Sequence, residues 1–185
     1  MIYTYRKTTF TKTETYVLEH DVIKMYYENN MLIDSVSLSD IKSISLVHTP
    51  TKVARNMHQC TITTFSKKKI VLRNYSYLGL ANFKNQNEEY LKFIYELHDK
   101  IKNKNIQFKK GINKLGFLVM LTFLILMIGL MGIIAVVLFN KEKYAEMGIS
   151  GFAAILFLFL TITSVARFKP ENYEPNNIPK NALPQ

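Results

Sequence analysis

Residues 116–139 read GFLVMLTFLILMIGLMGIIAVVLF, a run in which no side chain is charged. A helix rises about 1.5 Å per residue, so this run would be about 36 Å long and would exceed the ~30 Å hydrocarbon core of a bilayer. The run predicts a first transmembrane helix, and the interpretation of the rest of the chain depends on it.

A second uncharged run, residues 148–166, reads GISGFAAILFLFLTITSVA and follows the first after a short polar segment. As a helix it would be about 28 Å long, which suffices for an upright crossing. The alternative is a pair of buried helices in a soluble core, but core helices normally carry a polar stripe and neither run has one. The sequence therefore predicts a transmembrane helical hairpin with residues 140–147 as its turn.

The basic residues beside the hairpin predict its orientation. The turn contains only Lys141 and Lys143. A larger set flanks the outer ends of the two runs, namely Lys102, Lys104, Lys109, Lys110, Lys114, Arg167 and Lys169. Because basic residues near the spans stay on the cytoplasmic side, this imbalance predicts cytoplasmic termini and an external turn. Residues 1–7 lack the apolar core of a cleavable signal peptide.

The chain before the hairpin has the composition of one small β-rich domain. Runs rich in β-branched and aromatic residues alternate with turn residues such as Asn29 and Asn30. About seven strands are predicted, at residues 2–10, 15–20, 22–28, 32–38, 41–48, 57–65 and 69–74.

Residues 88–101 predict an amphipathic helix that closes this domain. Apolar side chains recur at helical spacing on one face, at Tyr90, Phe93, Ile94, Leu97 and Ile101. The predicted fold is α+β, a small β-barrel closed by a helix that covers edges and apolar interior which so small a sheet leaves open.

The predicted organisation follows from these segments. It consists of a domain at 1–106, a basic juxtamembrane segment at 107–115, transmembrane helices at 116–139 and 148–166, the external turn at 140–147, and a proline-rich cytoplasmic tail at 167–185.

The strand order, the phrase Ser37-Leu38-Ser39-Asp40-Ile41 leading into a strand, and the closing helix resemble a bacterial pleckstrin-homology-like domain over residues 10–104. The resemblance includes the coupling of such domains to membrane helices. It implies a non-enzymatic scaffold, often oligomeric, that binds peptides, proteins or lipid headgroups.

Eukaryotic relatives of such domains bind inositol phosphates through a basic first hairpin loop. The corresponding early segments of this chain are expected at residues 19–21 and 28–30, which read Glu-His-Asp and Glu-Asn-Asn. Their acidic and polar character argues against a phosphoinositide site.

Two groups of basic residues are candidate contacts with anionic lipid headgroups. The first comprises Lys67, Lys68 and Lys69 at a hairpin tip with Lys52 and Arg55 in the preceding loop; the second comprises Lys109, Lys110 and Lys114 beside the first apolar run. The alternatives are that the tip lysines only solvate the tip and discourage edge pairing, and that the second group only fixes topology.

No pattern predicts catalysis, a metal or a cofactor. His58 and Cys60 share a strand face, but two such residues make neither a metal site nor, without an exposed thiolate, a nucleophile. His98 lies beside the apolar stripe of its helix and is expected to be a boundary residue rather than a ligand. Lysines and tyrosines are scattered rather than clustered, so no nucleic-acid partner is predicted.

Small residues recur every three positions in the two apolar runs. Gly129 and Gly132 in the first, and Gly148 and Gly151 in the second, allow close approach of another helix, either within the hairpin or in a neighbouring copy.

The tail contains Tyr173, Ile178 and Leu183 at five-residue intervals, separated by prolines and polar residues. This spacing predicts an extended strap that docks on the front domain or on a partner. The alternative is a disordered terminus.

The preferred interpretation is a scaffold protein of the bacterial inner membrane, with a protein partner or a second copy of itself. The other interpretation is an immunity or secretion-system accessory protein that acts through its transmembrane hairpin.

Overall fold

The computed structural model describes residues 1–51, 54, 56–80, 82–141 and 143–184. The fold is α+β, with a β-rich amino-terminal part followed by two long apolar helices. The chain forms two compact units. One is Met1–Gly111 together with the residues from Glu171 onward, and the other is Ile112–Pro170.

The first four strands form an antiparallel sheet in sequential order. Turns at His20 and Asn30 connect its last three strands, and both residues have positive φ, which suits tight reversals. The strands are β1 (Ile2–Tyr5), β2 (Glu14–Glu19), β3 (Val22–Tyr27) and β4 (Leu32–Ser37).

The second sheet combines distant parts of the chain. Its antiparallel centre consists of β5 (Ile41–His48), β6 (His58–Thr64) and β7 (Lys69–Arg73). On the free side of β5 lies β10 (Gln107–Lys110), which is parallel to it, and β11 (Glu171–Asn172) pairs antiparallel with β10. Between β7 and β10 come the hairpin of β8 (Tyr75–Gly79) and β9 (Asn82–Asn85) and the helix α1 (Asn87–Ile101).

Both sheets and α1 contribute to one core. The apolar face of α1 is fully buried, as the helical spacing predicts, and it packs with residues of β1 to β7. Tyr3 and Tyr5 on β1 are buried, and their hydroxyl groups donate to the carbonyls of Arg73 and Val71 on β7. These side chains satisfy carbonyls of an edge strand, which otherwise would be open to another chain.

The strand content exceeds the seven strands expected. The segment between residues 74 and 88, for which no strand is predicted, contains β8 and β9. Strand β10 lies in the segment expected to be only juxtamembrane, and β11 lies in the tail. The β10 segment contains a single buried apolar residue, Phe108, so no alternating pattern indicates a strand. Its strand conformation depends on pairing with residues more than sixty positions away.

The second unit is a hairpin of α2 (Lys114–Asn140) and α3 (Tyr144–Phe168). Both helices extend beyond the predicted limits. At the start of α2, Asn113 caps the helix by accepting a hydrogen bond from the Gly116 amide at 2.6 Å. The helices pack along their lengths, and Ser150 Oγ donates to the Met131 carbonyl at 3.1 Å.

Both helices are long and apolar enough to cross a membrane, and none of the most apolar part of α2 is buried. Large exposed side chains such as Val119, Phe123 and Ile133 cover its surface. A soluble core helix would bury such side chains, so their exposure is compatible with a membrane hairpin.

Candidate functional site

The most developed site of the first unit is the groove that holds the tail. Tyr173 and Ile178 are partly buried against the core, and Leu183 is 6% exposed within it. The tail docks on the domain of its own chain. We call the segment from Glu171 to Pro184 the strap.

The amino-terminal half of the strap is held by a cluster of three rings. Tyr173 stacks on His98 with the ring centroids 5.9 Å apart, and both rings lie against Phe108, at 5.7 Å and 5.3 Å. The Tyr173 amide also donates to the Phe108 carbonyl at 3.1 Å, which continues the β10–β11 pairing. This half of the strap is therefore held both by packing of the Tyr173 ring and by backbone hydrogen bonds.

His98 has one hydrogen bond at each ring nitrogen. Its Nδ1 lies 2.8 Å from the Ile94 carbonyl, which only accepts, so Nδ1 carries the proton. In the neutral ring Nε2 then accepts from the Tyr173 hydroxyl, also at 2.8 Å. Burial lowers the pKa of His98 to about 4, and the bond to the Ile94 carbonyl opposes that shift in part.

The carboxyl-terminal half of the strap is held by His58 on β6. Its Nδ1 donates to the Ala182 carbonyl at 3.1 Å, and its ring stacks on His48 with the centroids 4.6 Å apart. Burial is the main cause that lowers the pKa of His58 to about 4, and His48 lowers it further. Both histidines are therefore neutral strap contacts near pH 7.

Cys60 lies two residues from His58 in the core and is completely buried. Burial raises the pKa of its thiol to about 12. A nucleophilic cysteine needs an accessible thiolate, so this position has the properties of a packing residue. Among the described residues, no group of three or more His, Cys, Asp or Glu side chains is placed to hold a metal ion.

The predicted cationic residues separate into two groups. Lys52 and Arg55 lie outside the described residues. Lys67 has a φ of 66° at the β6–β7 tip, and Lys68 forms an ion pair with Asp34 on β4. Lys69 is exposed at the start of β7.

The juxtamembrane lysines lie elsewhere on the sheet. Lys110 is level with Leu46 near the far end of β5 and pairs with Glu171 at 2.8 Å. Lys109 and Lys114 are exposed. Strands β5 and β6 separate β10 from β7, so Lys109 and Lys110 on β10 are distinct from the β6–β7 tip, whereas Lys114 belongs to the second unit.

The helix glycines have open surroundings. A Cβ placed at Gly129, Gly132, Gly148 or Gly151 would meet no atom within 4 Å. These residues are therefore not required for the approach of α2 to α3, and contact with a neighbouring copy stays a prediction.

One basic loop was misassigned from the sequence. The first hairpin loop is residues 6–13, which read Arg-Lys-Thr-Thr-Phe-Thr-Lys-Thr, and not the acidic segments at 19–21 and 28–30. The strand expected over residues 2–10 ends at Tyr5, because Arg6 directs its guanidinium to the carbonyls of Thr8, Thr9 and Thr11 and folds the chain into a loop.

Sequence reasoning also missed the receptor side of the strap. His58, His98 and Phe108 come from three separate elements, and only the first two had been considered, as isolated residues. Each of the three is an aromatic side chain beside an apolar stretch of sequence. That shared feature does not reveal that all three contact the strap.

Comparisons of the chain with protein-family models, with curated proteins and with solved structures gave no match.

Proposed function

We propose that this protein is a non-enzymatic scaffold of the bacterial inner membrane, in which a pleckstrin-homology-like domain is held at the cytoplasmic face to bind a protein, a peptide or anionic lipid. The observation that carries the proposal is the double connection between domain and hairpin. The chain leaves the second sheet after β10 and returns to it at β11, the strand that pairs with β10.

The pleckstrin-homology-like assignment is supported by the order of elements. A four-stranded antiparallel sheet is followed by the β5–β7 sheet and then by a helix whose apolar face covers both. In the proposed barrel, the contacts of Tyr3 and Tyr5 with β7 close the side between the two sheets.

The binding role is supported by what the domain already holds. It accommodates a proline-rich segment through strand pairing at Glu171–Asn172, one aromatic peg at Tyr173 and one aliphatic peg at Leu183. Between the pegs the segment turns at residues 174–177 and forms a short 3-10 helix at Lys180–Ala182. Strand pairing combined with side-chain pegs is a mode by which domains recognise peptides. The histidines beside the strap are neutral and hydrogen-bonded to their surroundings, which favours binding over proton transfer.

The membrane role confines the domain near the bilayer, which raises its effective concentration for partners there. The cytoplasmic placement follows from the excess of basic residues beside the outer ends of the helices. Two charge clusters on the domain, at the β6–β7 tip and beside β10, provide contacts for anionic headgroups.

Cysteine accessibility in intact bacteria tests this placement. Lys143 lies between the helices and Lys180 is exposed in the strap, so Lys143→Cys and Lys180→Cys provide one reporter for each side. Native Cys60 is buried and stays unlabelled in the folded protein. We expect an impermeant thiol reagent to modify position 143 in intact cells and position 180 only after the membrane is opened. The reverse pattern would exclude the cytoplasmic placement.

A further inference from the structure

Two large apolar side chains of the domain are almost completely exposed. Phe10 in the β1–β2 loop is 98% exposed and Leu80 in the β8–β9 turn is 96% exposed, while Leu78 beside it is 58% exposed. A single exposed apolar side chain is common, whereas several brought together mark a surface that contacts a partner or a membrane.

The two segments that carry these side chains are joined. The Tyr77 amide donates to the Arg6 carbonyl at 2.9 Å, and Thr9 Oγ1 donates to the Tyr77 hydroxyl at 2.6 Å. The Arg6 guanidinium also lies over the Tyr77 ring at 6.0 Å. We call residues 6–13 and 78–80 the Phe10–Leu80 tip.

The loop that presents Phe10 is internally ordered. Arg6 donates to the carbonyls of Thr9 and Thr11 at 2.7 Å and 2.8 Å, and the Thr8 amide donates to Thr11 Oγ1 at 2.9 Å. Phe10 is therefore held outward by a hydrogen-bonded loop, so a partner that buries it meets a surface already arranged for contact.

The charged side chains in the segments that form the tip are all basic. Residues 6–13 and 75–85 include Arg6, Lys7, Lys12 and Lys84 and no aspartate or glutamate. The neighbouring Glu14 is paired with Lys7 at 3.2 Å. The Lys67–Lys69 tip lies towards the same end, because Tyr3 contacts Arg73 and Tyr5 contacts Val71, so β1 advances towards the Lys69 end of β7.

We propose that the Phe10–Leu80 tip inserts into the boundary between headgroups and acyl chains of an anionic bilayer. Apolar side chains surrounded by cations and threonine hydroxyls fit that layer, where apolar groups enter the lipid and cations stay with the phosphates. The inference rests on the proposed membrane anchoring, and it names the part of the domain that touches lipid.

Depth-dependent fluorescence quenching tests the proposal with the full-length protein in vesicles. A polarity-sensitive fluorophore is attached at Phe10→Cys or Leu80→Cys. Tyr95→Cys, at a 54% exposed position on α1, is the surface control, and Val119→Cys on α2 reports the anchoring itself. Native Cys60 is fully buried and needs no replacement.

In vesicles that contain phosphatidylglycerol and lipids spin-labelled near the headgroup, we expect fluorescence at positions 10 and 80 to fall by about half or more, while position 95 stays unquenched. With the label at position 80, the further change Phe10→Ser is expected to reduce quenching, because one of the two inserting side chains is lost.

Four results would contradict the proposal. Quenching at position 119 without quenching at positions 10 and 80 would show that the tip does not insert although the protein is anchored. No quenching at position 119 would contradict the anchoring as well. Protection of position 10 from aqueous iodide without lipid quenching would indicate a protein partner or a second copy. Equal quenching in pure phosphatidylcholine vesicles would contradict the role of anionic lipid.

Discussion

The hydroxyl group of Tyr173 lies 2.8 Å from Nε2 of His98, a residue 75 positions earlier in the chain. Because the other ring nitrogen of His98 donates to the Ile94 carbonyl, Nε2 of the neutral ring is an acceptor, and the Tyr173 hydroxyl donates to it. This hydrogen bond therefore joins the strap to the buried side of α1, and it suggests a direct test of strap docking.

Tyr173→Phe keeps the ring stack and removes this hydrogen bond. A buried acceptor left without a partner costs about 1–3 kcal/mol, so we expect a loss of that size in the free energy of unfolding. Urea unfolding of the detergent-solubilised protein measures it. Tyr95→Phe, at a half-exposed position on the same helix as His98, is the matched control and is expected to change the midpoint little.

The stability of the domain is expected to depend on pH through His58 and His98. Their pKa is about 4 in the folded protein and near 6.5 in an unfolded chain, so below pH 6.5 the unfolded state binds more protons. The contribution of the two neutral histidines to the free energy of unfolding is therefore fully present above pH 6.5. It falls as the pH falls towards 4, by about 1.4 kcal/mol per pH unit for each histidine.

Urea midpoints at several pH values between neutrality and mild acid measure this slope. His98→Gln is expected to reduce it, whereas Asn82→Gln, an exposed change on β9 that involves no titrating group, is expected to leave it unchanged. An identical slope in the His98 variant would contradict the assignment.

Asn74 is a buried polar residue that joins three segments. Its side chain accepts from the His58 amide at 2.6 Å and donates to the Asn56 carbonyl at 2.9 Å and to Asn87 Oδ1 at 2.7 Å. We expect Asn74→Ala to cost about 3 kcal/mol, because buried groups lose their partners. Thermal unfolding measures the loss. Asn82→Ala, an exposed substitution on β9, should behave as the unmodified protein.

Tyr3 and Tyr5 are expected to contribute jointly to the seam between β1 and β7. Each Tyr→Phe change removes one hydrogen bond to a β7 carbonyl and is expected to cost about 1 kcal/mol. Because the two rings stack with centroids 5.7 Å apart, the double variant is expected to deviate from additivity. A double-mutant cycle measures that coupling, and strict additivity would show that the two tyrosines act independently.

Gly116 is expected to be required by the cap of α2. A Cβ there would lie 2.9 Å from Asn113 Oδ1, so Gly116→Ala displaces the capping side chain at a cost of about 1 kcal/mol. Faster hydrogen exchange of the first amides of α2 would report the loss. Gly129→Ala in the same helix, where a Cβ meets no atom within 4 Å, should not change exchange at those amides.

The elements that could be predicted from the sequence depend on local patterns. The two apolar helices could be predicted because each is an uninterrupted hydrophobic run. Helix α1 could be predicted because its apolar residues recur at helical spacing within the helix itself. Strands β2 to β7 also carry enough β-branched and aromatic residues to be recognised. The α+β class predicted in this way is confirmed.

The parts that could not be predicted depend on distant partners. The β10 residues form a strand because they pair with residues 43–46 on one side and with Glu171–Asn172 on the other. Both partners are far away in the sequence, so the local pattern around β10 does not indicate them. Similarly, the regular spacing of the apolar tail residues indicates that Tyr173 docks, but it does not indicate that His98 and Phe108 are the side chains it contacts.

The exposed tip was missed for a different reason. The aromatic content of residues 2–10 predicts a strand that continues to Phe10, but the hydrogen bonds of Arg6 end β1 at Tyr5. A single arginine that folds back on three carbonyls leaves no periodic signature, so the loop became visible only in three dimensions.

The pairing of β10 with β11 also affects how the protein is made. During synthesis, both apolar helices leave the ribosome before Glu171, Tyr173 and Leu183 do, at roughly 5–20 residues per second. The core begun by Tyr3 therefore stays incomplete until both helices have been synthesised. Docking of the strap is in this way placed last in the order of folding, whatever the two helices do before it.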